Sequence, residues 1–163
     1  MANQNAAAPV NTGLEENARN SVAQGLNAVL ASTFALALKT HNFHWNVTGP
    51  RFQGLHAQFE EQYTDLYAAV DEIAERIRAL GSMAPGGLGR YGELSVVEDA
   101  PETPPAAEDM VAALARDHDA MARQLRPLIS EAGEVSDEVT AGLLTDRLGV
   151  HEKTAWMLRV AAG

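Results

Sequence analysis

The chain contains no cysteine. That excludes a disulfide framework, a thiolate metal site and a cysteine nucleophile together. Basic residues are scarce, with 12 Lys plus Arg against 22 Asp plus Glu, a formal charge of -10 over 163 residues. Such a balance disfavours a general nucleic-acid binder and suits a protein that attracts cations. No stretch is expected to approach the eighteen or so apolar residues that a membrane span needs, and no membrane association is expected. The N-terminus has no basic segment leading into an apolar run, so no secretory signal is expected and the expected location is the cytoplasm, including the nucleoid. No stretch carries the two-residue alternation of a strand.

What the sequence does have is helical periodicity. Residues 1–13 are small and polar and read as a flexible N-terminal arm, with the folded domain at 14–163. From Leu14, apolar residues recur at three- and four-residue steps (Ala18, Val22, Leu26, Val29, Leu30, Phe34, Ala37) toward His44 or Trp45, where Gly49-Pro50 stops the pattern. A second helix is predicted from near Arg51 to Leu80, ended by Gly81. Five glycines and four prolines then mark residues 81–105 as a long crossover, with a short helix expected around Glu93–Val97. A third helix is predicted from about Ala106 to Ala132, bent at Pro127 and ended by Gly133. A fourth, N-capped by Ser136, is predicted to run to about Val160. Four long helices with one long crossover between the second and third describe an all-α, ferritin-like four-helix bundle.

Three of the five histidines, His41, His44 and His56, flank the first turn. Glu60 lies four residues after His56 and Glu75 four after Asp71, so each pair shares a helix face and could hold one ion. Imidazole with carboxylate suits iron or zinc better than hard, oxygen-seeking ions. His56 and Asp71, however, are separated by a rise of about 22 Å and a rotation of only ~60°. They share a face without being able to share a metal. A two-fold axis near residues 63–65 would set two copies antiparallel and bring His56 of one beside Asp71 and Glu75 of the other, making two identical sites. Tyr63 and Tyr67 would help to fill that interface. The plainer alternative, a solvated acidic face and packing histidines, stays open on spacing alone.

Other metal patterns are missing. No histidine has a glutamate three residues before it, as sites built within one ferritin subunit require, and there is no H-E-x-x-H. His118 and His151 have no partnered pattern and read as ordinary surface or interface residues.

The elements His41-Asn42-Phe43-His44-Trp45-Asn46-Val47-Thr48-Gly49, Leu55-His56 and Asp71-Glu72-Ile73-Ala74-Glu75-Arg76-Ile77, in this order and spacing, closely resemble the Dps family of mini-ferritins. The resemblance implies a homododecameric shell that oxidises Fe(II), preferentially with hydrogen peroxide, and stores the Fe(III) mineral inside, protecting DNA and cell from oxidative stress. It implies iron sites shared between subunits at two-fold interfaces, with His44, His56 and Glu60 from one chain and Asp71 and Glu75 from the other. Trp45 matches a family tryptophan near the centre that could intercept a stray oxidising equivalent, and Trp156 matches a core or interface position. Asp137, Glu138 and Asp146 are the acids expected at a pore through which iron passes.

Two other readings compete with the ferroxidase. One is a nucleoid-associated, DNA-binding shell; the other is a non-catalytic metal-buffering cage. Relatives that bind DNA use a lysine-rich tail, whereas residues 1–18 here hold no Lys or Arg. Twelve such chains would carry about -120 formal charges, and direct DNA binding by a basic tail is not expected.

Overall fold

The computed structural model describes residues 9–162; the first eight residues of the expected arm, and Gly163, lie outside the described residues. The helices are α1 (Glu16–Asn46), α2 (Phe52–Ala79), α3 (Leu88–Leu94), α4 (Ala107–Glu134) and α5 (Glu138–Ala162). α1 pairs with α2 and α4 with α5, and the two hairpins close chiefly through α1 against α4. Among the described residues there is no strand. The four long helices and the crossover agree with the sequence reading. The short helix does not lie at Glu93–Val97 but begins earlier, at Leu88, and no residue of it is buried. The sequence signal there was weak because α3 has no apolar face of its own to repeat.

α1 is the central element. By length and mean hydropathy it is the one described helix that could cross a membrane, contrary to the expectation that no stretch approaches the apolar length of a span. Its polar residues are spread thinly enough to leave the average high. The apolar ones (Val22, Leu26, Val29, Leu30, Leu36 and Phe43) are buried in the protein's own core against α2 and α4. Buried hydroxyls are satisfied within the helix: Thr33 and Thr40 donate to the carbonyls of Val29 and Leu36, four residues back. The crossover is fastened to α1 at two points. The Val96 amide donates to Ser32 Oγ at 3.0 Å, and Lys39 Nζ donates to the Glu98 carbonyl while lying 2.8 Å from Asp117 Oδ2 on α4.

α2 ends as expected. The Ser82 amide returns to the Ile77 carbonyl and the Gly81 amide to that of Arg78, the paired bonds of a left-handed glycine cap. Gly81 has φ +94°, and a Cβ there would stand 2.9 Å from Val10 Cγ2 and 3.0 Å from Arg19 Nη1, which itself donates to the Leu80 carbonyl. Gly81→Ala is therefore expected to cost about 1–2 kcal/mol, read as a lowered urea midpoint with an unchanged slope. The α4–α5 turn, at the same end of the bundle, differs from expectation. α4 holds Pro127 within it, as expected, but runs past Gly133 to Glu134. Ser136 takes φ +61° instead of capping; the cap is Asp137, whose Oδ1 accepts from the Thr140 amide at 3.0 Å.

Candidate metal centre

The α1–α2 hairpin turns at Gly49, φ +102°, where the Phe52 amide bonds back to the Gly49 carbonyl. This tight turn sets His44, in the last turn of α1, opposite His56, in the second turn of α2. The two imidazoles stack with centroids 3.7 Å apart and planes inclined by 18°. Each is held by the other residue's backbone. His44 Nδ1 donates to the His56 carbonyl, and His56 Nδ1 donates to the His44 carbonyl, both at 2.8 Å. A carbonyl oxygen can only accept, so Nδ1 carries the proton in each neutral ring. Both Nε2 atoms are thereby left with a free lone pair, the form that binds a metal.

Aromatic side chains fix this pair from both sides. Phe52 stacks on His56 at 5.0 Å, and Tyr63 meets His44 edge-on at 5.2 Å. His41 lies between Tyr63, stacked at 3.9 Å, and Trp45 at 4.1 Å. Burial, and then the neighbouring His44, lower the His41 pKa, while Glu60 acts the other way. His44 is buried and His56 half-buried, whereas Trp45 is 58 % exposed and Phe52 41 % exposed. Large aromatic faces are thus left open to solvent in the protomer beside the two imidazoles. Tyr67 instead packs inward on Phe34, at 6.2 Å.

The carboxylates lie where the helix arithmetic puts them. Glu60 is exposed one turn beyond His56, and Asp71 and Glu75 are exposed farther along α2. Asp71 and Glu75 are too far along the helix to meet the histidines within one protomer. Among the described residues, no three His, Asp or Glu side chains converge to hold a metal.

Of the three acids expected at a pore, Glu138 and Asp146 are exposed. Asp137 is not available for that role, because it is 2 % exposed and built into a closed network. Arg76 Nη2 donates to Asp137 Oδ1 at 2.7 Å, Arg76 Nε donates to Thr140 Oγ1 at 2.8 Å, and Thr140 Oγ1 donates to Asp137 Oδ2 at 2.6 Å. The network ties the end of α2 to the start of α5. Trp156, expected in a core or interface, is 60 % exposed in the protomer, so it does not belong to the core.

His118 and His151 are the largest departure from the sequence reading. Neither is on the surface: each is 1 % exposed, and their Nδ1 atoms are 2.9 Å apart between α4 and α5. A signal was present, since His118 continues the buried stripe of Val111, Leu114, Ala115, Met121 and Leu125. His151 likewise falls between Leu144 and Ala155 on the buried face of α5.

Comparison with known proteins agrees with this architecture. A family model described as a ferritin-like domain matches residues 23–162. The chain is 42 % identical over 143 residues to "DNA protection during starvation protein 2" of Bacillus anthracis, covering 85 % of this chain and 94 % of that one. The crystal structure of Dps from Staphylococcus aureus superposes with a TM-score of 0.85 at 35 % identity, covering 88 % of this chain and 96 % of its own. The Dps protein of Vibrio cholerae O1, described as a member of a broad superfamily of ferritin-like diiron-carboxylate proteins, superposes at 0.89 with 30 % identity, covering 96 % and 99 %. With the family model spanning the bundle and these relatives matched over most of their length, the chain belongs to the Dps family of ferritin-like proteins.

Proposed function

We propose that this protein is a ferroxidase that oxidises Fe(II) with hydrogen peroxide at sites shared between two-fold-related subunits, and keeps the Fe(III) product inside a dodecameric cytoplasmic shell. Iron storage and protection against oxidation are the general functions of the family. The observation that carries the finer reading is the reciprocal histidine clamp, which leaves two Nε2 lone pairs prepared on a half-exposed aromatic surface. Two nitrogen ligands without converging carboxylates make half a site. The missing half has the right chemistry on the same helix, about 22 Å away.

In this reading His44, His56 and Glu60 of one subunit hold Fe(II) together with Asp71 and Glu75 of its mate. The carboxylates offset the positive charge and favour the ferric product, while the imidazoles keep the site selective for a borderline metal. Each of two Fe(II) ions gives one electron to peroxide, the O–O bond breaks, and both oxygens leave as water or hydroxide. Reducing the peroxide to two waters takes up two protons and hydrolysis of the two Fe(III) to oxyhydroxide releases six, a net release of four per peroxide consumed. Because the two electrons arrive together, no hydroxyl radical is set free. Trp45, exposed beside His44, is placed to reduce a stray one-electron oxidant. Glu138 and Asp146 supply the negative charge that draws cations inward.

The test is to load the shell with Fe(II) anaerobically, add hydrogen peroxide, and record ferric absorbance and peroxide consumption together. About two Fe(II) oxidised per peroxide is expected, with the rate reduced roughly 10–100-fold in an intact Asp71→Ala shell. Equal rates in the two proteins would reduce the molecule to a cage without this centre.

A further inference from the structure

Beyond the iron site, the interior holds a pair of titratable groups that the proposed chemistry does not use. His118 on α4 and His151 on α5 meet through their Nδ1 atoms at 2.9 Å, with ring centroids 5.1 Å apart. Two nitrogens at that distance need one proton between them: one ring donates Nδ1–H and the other accepts with its lone pair. If both rings became imidazolium, two N–H groups would face each other and the bond would turn into a repulsion.

The surroundings offer no relief. The charged groups acting on the pair are Arg147 on α5, Asp119 on α4 and Asp65 on α2. Arg147 lies one turn before His151 and adds positive charge. Both carboxylates already have partners: Asp65 receives two hydrogen bonds from Arg147, at 2.8 and 3.2 Å, and Asp119 pairs with Arg159. His118 Nε2 is buried without a hydrogen-bond partner, so no acceptor awaits a second proton there.

We propose that the His118–His151 pair is an acid-sensitive latch, which holds α4 to α5 through one shared proton and releases the hairpin when a second proton is taken up.

The direction follows from the proton balance. Burial first, and Arg147 after it, push the His118 pKa from 6.5 down to about 4, against the opposing pull of Asp119 and Asp65. Burial, His118 and Arg147 push His151 well below its ordinary value. An opened hairpin binds protons near pH 6.5, whereas the closed pair refuses them until far lower pH. Between those limits the open form holds more protons, so acid favours opening. Closure is fully supported above about pH 7.5 and weakens continuously as pH falls. From His118 alone, the opening equilibrium rises roughly thirty-fold between pH 7.5 and pH 5.

Hydrogen–deuterium exchange of the assembled full-length protein, read by mass spectrometry at pH 7.5, 6 and 5 and corrected for intrinsic exchange, tests this. Peptides spanning residues 118 and 151 are expected to open at least roughly thirty-fold more at pH 5, with a smaller change in α1 and α2. In the double variant His118→Leu/His151→Leu, which replaces both polar partners with apolar groups of similar size, that acid response disappears. His118→Gln provides a second variant should the double one not fold; it removes one titrating ring, keeps an amide beside His151 Nδ1, and is expected to show a smaller rise. Unchanged protection in the wild type between pH 7.5 and 5 would overturn the proposal. So would an undiminished acid response in the variants, which would assign it to other titratable groups.

Discussion

Two inactive variants, mixed and reassembled together, are expected to recover about a quarter of wild-type ferroxidase activity. The first, His44→Ala/His56→Ala, lacks the nitrogen ligands; the second, Asp71→Ala/Glu75→Ala, lacks the distal carboxylates. Alone, each has every site broken. In a mixed pair, one of the two interfacial sites combines both defects, while the other joins intact histidines to intact carboxylates. Random pairing makes half of all pairs mixed, and each restores one site in two, giving about a quarter of the total. The measurement is peroxide-dependent ferric absorbance after dissociating, mixing and reassembling equal amounts, with unmixed controls treated identically. Sites contained within single subunits would give no recovery at any mixing ratio. The prediction depends on the wide separation of the two ligand groups along α2, and not on the geometry of any bound ion.

Asp137→Ala is expected to lose about 3–5 kcal/mol of stability, a larger effect than any exposed acid would produce. Removing the carboxylate leaves Arg76, which is 13 % exposed, without its partner in a mostly buried position. The start of α5 loses its cap at the same time. Urea unfolding at fixed protein concentration reads the loss directly, with Glu138→Ala as the exposed comparison, expected within about 0.5 kcal/mol of wild type. Asp137→Asn keeps an oxygen for the Thr140 amide while removing the charge, and should fall between the two. A residue that only drew iron through a pore would show the reverse pattern: slower mineralisation with unchanged unfolding.

These expectations separate what the chain's linear pattern reveals from what it conceals. Helical periodicity located the four long helices to within a few residues, because long apolar stripes repeat many times and average out local noise. The relative placement of the two proposed ligand groups was legible for the same reason: His56, Glu60, Asp71 and Glu75 lie on one helix, where distance and rotation follow from counting. The His44–His56 clamp was not legible, since it depends on the register between α1 and α2 set at Gly49. His118 and His151 stand 33 positions apart, and only the packing of α4 on α5 makes them neighbours. Polar type concealed their burial, although each continues an apolar stripe. Asp137 was misread through Ser136. A serine before two acids resembles a cap, but its positive φ moves the helix start one residue on, and the charge goes inward to Arg76.

The histidine clamp also bears on how this surface can change over generations. Each ring is anchored by a main-chain oxygen, and every residue type supplies one. Substituting position 44 removes a proposed ligand, yet the residue that replaces it still offers its carbonyl to His56, and the converse holds at position 56. Had the rings been oriented by side-chain carboxylates, losing one partner would have disordered the other. Here the two imidazoles can be lost or regained singly, so a chain that has shed one histidine keeps the other poised, one substitution from restoring the pair.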